Sequence, residues 1–263
     1  MRVFRHWWFL RLLRRAENAQ ASAAGQSSAE RRSTREQQEL LLREWEVMRD
    51  RLAGLAAERV AAAGDVMRAA EVELAPEEQA ARRHYEWAIQ AYQAAGKLLD
   101  EAADLPDLAA AVVLAERAVE RLVATHAQHE HVRLEGGTTR CFYNPLHGPA
   151  RSGAVQPPHG KRRQRPRTGR LDAAADRFPA CRSCRDAIHA GQTPDVLPAL
   201  LEVDRGWGRR RIRVLVPYFE VPQQWSLWSV TGCGAYDDTT PAQVLRGEHR
   251  RRVQPRRSKR ALG

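Results

Sequence analysis

Three thiols and one imidazole are the side chains of this sequence best suited to joint chemistry. They are Cys141, His147, Cys181 and Cys184, spaced C-x5-H-x33-C-x2-C. Thiolate sulfur and neutral imidazole nitrogen are the ligands zinc prefers, and Cys₃His is a common structural set. Two residues between Cys181 and Cys184 let one tight turn aim both sulfurs at one ion. The C-x5-H half is looser, but a turn through Asn144 and Pro145 can fold His147 back onto Cys141. Cys233, between Gly232 and Gly234, is the alternative fourth ligand. Recruiting it closes a loop of about fifty residues, which costs only on the order of 1–2 kcal/mol more. The plainer alternative to a metal site is three unrelated reduced cysteines and a surface histidine.

Other chemistry is weakly supported. Cys141 and His147 can be paired as nucleophile and base, yet Cys181 and Cys184 suit ligation better. There is no GxSxG, HExxH, Walker A or GxGxxG stretch, so no recognisable catalytic motif is present. A thioredoxin-like role for the C-x-x-C pair needs a βαβ context, and Arg-Phe-Pro-Ala precedes it instead. His126, His129 and His131 end a helical stretch, where histidine favours the negative end of the dipole.

Charge is unevenly placed. The net charge is +11. Residues 28–135 carry 14 basic and 21 acidic side chains, whereas residues 136–263 carry 24 and 10. The basic half therefore invites an anionic partner, or the acidic half of its own chain. Lys161, Arg162, Arg163, Arg165, Arg167 and Arg170 form a dense basic run. They are candidates for nonspecific phosphate contacts, whose strength falls with salt. No recognition helix or stacking motif accompanies them.

The elements that must position the thiols read as mostly α. Residues 1–33 form a basic, aromatic N-terminal segment and an Ala/Ser/Gln-rich linker. The run MRVFRHWWFLRLLRR is too short in apolar residues to span a bilayer. It suits at most an interfacial helix. A cytoplasmic location is expected, with peripheral attachment at the inner face of the membrane as the alternative.

Residues 34–135 are expected to be helical. Leu41, Trp45, Met48, Leu52, Leu55, Arg59, Ala62 and Val66 step as a heptad seam. That seam predicts packing on the chain's own helices or a weak homodimer. Pro76, before Glu77 and Glu78, marks the start of a second helix. Asp104-Leu-Pro-Asp107 breaks it from a third, over about 107–128, to make a helical hairpin. Tyr85, Trp87 and Tyr92 are expected in its core.

Residues 138–249 are expected to form a small α+β module stapled by the metal, with a basic disordered insert over 151–170. Strands are predicted at 212–216 and 218–221, with a turn at 194–198. Trp225 and Trp228 should cover its core. A last helix should start with Thr240 as N-cap and Pro241 at N1. The tail 250–263 is basic. Knuckle, short helix and adjacent strands together suggest a treble-clef-like zinc-binding fold.

Six stretches carry a family resemblance. They are LLDEAADLPDL (98–108), AVVLAERA (111–118), CFYNPLHGP (141–149), PACRSC (179–184), and VPYFEV (216–221) with WSVTG (228–232). The chain resembles, over about 80–250, an uncharacterised group of actinobacterial proteins with a helical, coiled-coil N-terminal part and a cysteine-containing C-terminal module. The resemblance implies no activity. It implies a membrane-spanning segment near the N-terminus, from which this sequence departs. The expected function is a non-enzymatic interaction or scaffold protein with a structural zinc site. Nonspecific nucleic-acid binding through the basic insert and tail is the alternative.

Overall fold

The computed structural model describes residues 28–70, 73–132, 139–151, 178–205 and 210–250. Three helices dominate it: α1 (Ser28–Ala69), α2 (Gln79–Glu101) and α3 (Leu105–His129). No strand interrupts the described residues of 34–130. Pro76 is not inside α2, as its position suggests. It lies in the turn before the N-cap Glu78. The Glu78 carboxylate reaches back to the Ala75 N–H at 2.7 Å and meets His129 of α3 at 2.6 Å.

The Asp104-Leu-Pro-Asp107 break is itself the cap of α3. Asp104 is the N-cap, Asp107 completes a capping box, and proline occupies the first turn, where its missing donor costs nothing. Both carboxylates are buried, and their spare oxygens tie four elements together. Asp104 accepts from the Trp45 indole of α1 at 3.0 Å and from the Leu200 N–H at 2.9 Å. Asp107 accepts from the Trp228 indole at 2.7 Å. Buried acceptors of this kind must be satisfied, so the network fixes how the elements meet.

α3 is the central helix. Every residue from Leu105 to Ala115 is buried. Much of that surface is alanine, as are Ala88, Ala91, Ala94 and Ala95 on the buried face of α2. Small side chains let the helices pack closely. In α1 the front of the heptad seam turns inward: Leu41 and Leu52 are buried, and Trp45, Met48 and Leu55 pack on the core. Further along, the buried positions are Ala56 and Ala63, while Arg59, Ala62 and Val66 face solvent. A straight helix drifts from a strict seven-residue repeat, which accounts for the shift. The front of the seam is thus occupied from within the chain. Tyr92 packs on the core as expected. Trp87 is instead half-buried at its rim, beneath the Arg117 and Arg121 guanidiniums at 4.6 and 4.9 Å, with its indole donating to the Asp238 carbonyl.

Beyond α3 come β1 (Ala150–Arg151), β2 (Ala180–Cys181), α4 (Arg182–His189), β3 (Pro198–Arg205), β4 (Arg210–Pro217), a 3-10 turn at Tyr218–Glu220, α5 (Trp228–Thr231) and α6 (Thr240–Leu245). β1 pairs antiparallel with β2, and β3 with β4, with Leu200 opposite Leu215. Residues 218–221 are not the second strand the sequence suggests. Pro217 ends β4, and the chain coils tightly there, burying Tyr218. The partner strand lies upstream, beginning at Pro198. At α6, Thr240 is the first helical residue rather than the cap, which is Thr239.

The larger apolar cluster crosses the boundary expected near 135–138. Leu197, Ala199, Tyr218, Val221, Trp228, Cys233 and Val244 share it with residues of α1, α2 and α3. A second, smaller cluster holds Cys141, Phe142, Tyr143, Ala150, Ala180, Cys181 and Cys184.

Candidate metal centre

The smaller cluster is built from two short segments. In the first, Cys141 is followed by a turn in which the Asn144 side chain accepts from the Leu146 N–H at 3.1 Å. The Asn144 carbonyl then accepts from the His147 N–H at 3.0 Å. This Asx-type turn swings His147 back toward Cys141, a local geometry asparagine favours. In the second, Cys181 is the N-cap of α4, with its sulfur accepting from the Cys184 N–H at 3.4 Å. Both sulfurs sit at the positive end of that helix, which favours thiolates.

Pairing of Ala150 with Cys181 and of Phe142 N–H with the Pro179 carbonyl brings the two segments together. One donor atom from each of Cys141, His147, Cys181 and Cys184 then lies within 4.8 Å of all the others. His147 Nδ1 is 3.4 Å from the Cys181 sulfur and 3.3 Å from the Cys184 sulfur. The three cysteines are buried, His147 is half-buried, and none forms a disulfide. Such a set can hold one metal ion.

Electrostatics agree with four donors crowded on one point. Hydrogen bonding from Cys184, with further bonds from His147 and the Cys181 and Asn144 N–H groups, pulls the Cys141 thiol well below the usual thiol range against the opposing effect of burial. The Cys184 thiol is pushed up, because it shares its proton with Cys141 and is buried among sulfurs. Burial lowers His147, but the Asp195 carboxylate and the Cys141 and Cys181 sulfurs outweigh it and raise the ring to about 10. A cation held there would replace these shared protons.

Cys233 does not join the set. It lies at φ 56° in the larger cluster, buried beside the helices. The long-loop alternative therefore fails on packing rather than on closure entropy. Asp195 is the participant that sequence reasoning missed: its carboxylate meets His147 Nε2 at 3.2 Å. Lys161, Arg162, Arg163, Arg165, Arg167 and Arg170 lie outside the described residues, as do residues 1–15 and the tail from 251. No described helix is long and apolar enough to cross a membrane. Comparison with protein-family models, with curated proteins and with solved structures finds no match to this chain.

Proposed function

We propose that this chain is a non-enzymatic interaction or scaffold protein whose cysteine segment is stapled by one structural zinc ion. The observation that supports this most is the convergence of three buried thiols and one imidazole nitrogen. Soft sulfur donors with imidazole in a four-ligand set favour zinc over magnesium or calcium. A tetrahedral ion with bonds of about 2.0–2.3 Å holds its donors roughly 3.3–3.8 Å apart. The contacts from His147 Nδ1 at 3.3 and 3.4 Å fall in that range.

Four protein ligands leave no position for a reacting water, which is the mark of a structural rather than a catalytic site. The nucleophile and base that Cys141 and His147 offer are consumed as ligands on this reading. The order of parts supports a treble-clef-like module: a turn bearing two ligands, the β1–β2 pair, then a helix with the third ligand at its N-cap and the fourth in its first turn. Bound zinc supplies cross-linking there. It fixes the Cys141 turn to the start of α4, however the chain runs between them.

Metal analysis of the purified full-length protein, beside Cys184→Ser, tests this directly. One zinc per chain is expected in the wild type, and well under one in the variant. A wild-type protein purified without chelators, folded but free of zinc and unable to take it up, overturns the reading.

A further inference from the structure

We infer that Asp195 is a positioning residue that makes Nδ1, not Nε2, the metal-facing nitrogen of His147. The inference rests on the metal reading above and extends it to a residue outside the donor set. An imidazole has two nitrogens, and a lone histidine on a turn can present either. Here the choice is made by what each nitrogen meets. Nε2 faces the Asp195 carboxylate at 3.2 Å, and Nδ1 faces the Cys181 and Cys184 sulfurs at 3.4 and 3.3 Å. A carboxylate only accepts, so it holds a ring proton on Nε2, and Nδ1, which faces the sulfurs, is the nitrogen left to yield to an ion. Carboxylates placed this way behind ligating histidines fix the tautomer and ring orientation and raise ligand basicity.

The position of Asp195 is itself fixed from two sides. It follows Pro194, and its carbonyl lies 3.8 Å from the Cys184 sulfur. Two residues on, the Leu197 N–H donates to the Tyr143 carbonyl at 3.0 Å, tying the segment to the Cys141 turn. The backbone that carries the carboxylate is therefore held beside the ring at both ends.

The test uses the full chain with zinc as the probe, in three forms: wild type, Asp195→Asn and Asp195→Ala. Affinity is read by chelator competition, and the His147 tautomer by nitrogen-detected imidazole NMR of the zinc-loaded protein. Wild type should bind zinc through Nδ1 with the proton on Nε2. Asp195→Ala should weaken zinc by about 10–100-fold and broaden or mix the tautomer signals. Asp195→Asn keeps an acceptor oxygen but loses the charge, so its affinity should fall between the two with the Nε2–H form retained. A role in folding alone would not produce that order or move the tautomer. If Asp195→Ala fails to fold, Asp195→Asn decides: affinity equal to wild type overturns the inference. A zinc-loaded wild type coordinated through Nε2 also overturns it, while leaving the staple intact. A wild type that binds no zinc overturns the staple first and this inference with it.

Discussion

The four donors announce themselves because three of the chain's four cysteines gather with a histidine between residues 141 and 184, and a C-x-x-C turn has few other uses outside redox folds. Asp195 gives no such signal. Aspartate is common, it stands 48 residues from His147, and nothing in its spacing points there. Cys233 shows the opposite error, in which a residue of the right type sits in the wrong place. Its flanking glycines suggest close approach to an ion, but that approach is to helix α3. A Cβ on Gly234 would come within 2.9 Å of Leu114. Replacing Cys233 with Ser should therefore leave metal stoichiometry at the wild-type value, while the buried hydroxyl lowers stability by about 1–3 kcal/mol. Loss of zinc from a folded Cys233→Ser protein would return that cysteine to the ligand set.

Helices were legible because their signals are local. The proline-free run of α1, the apolar spacing of α3 and the Asp-x-x-Asp cap each lie within a few turns of chain. β3 was not, since its partner choice depends on β4 and its sequence mixes Leu200 and Leu201 with Glu202 and Asp204. Strand preference is weaker and more context-dependent than helix preference. Glycines separate propensity from packing within these elements. Gly96 stands inside α2 with no atom within 4 Å of an added Cβ. Gly96→Ala should raise stability by about 0.5–1 kcal/mol through helix propensity and a less flexible unfolded chain. Gly234 has φ +82°, and the added Cβ would press on Leu114 and Thr240. Gly234→Ala should lower stability by about 1–3 kcal/mol. Urea melts of the two variants compare them, and equal midpoints would contradict this reading of both sites.

At the scale of the whole molecule, two apolar clusters of unequal size meet along one seam. The larger buries the three helices against β3, α5 and α6. The smaller has seven buried residues, three of them cysteines, and Phe219 packs against both. A hydrogen bond crosses between them, from the Tyr218 hydroxyl to the Phe142 carbonyl at 2.6 Å, and next to the smaller cluster the Tyr236 hydroxyl donates to the Arg140 carbonyl at 2.6 Å. Arg140 also pairs with Glu116 and Glu120 of α3. Residues of the C-terminal half thus share a core with the helices, and the Arg140 pairs join the basic half to the acidic one, as the uneven charge allows. So small a cluster has little apolar surface of its own, and a metal at the four donors would supply what burial lacks. The helical cluster has no such dependence. Stripping zinc with a strong chelator should therefore speed amide exchange across residues 139–151 and 178–192 by orders of magnitude. α2 and α3 should keep their protection, and the helical circular dichroism signal should fall only slightly. Proteins open in units of this kind when one part lacks its own core. Loss of protection in α3 together with the cysteine segments would mean instead that the two clusters fold as one unit. Unchanged exchange after verified metal removal would mean that backbone pairing and aromatic packing hold the centre without an ion.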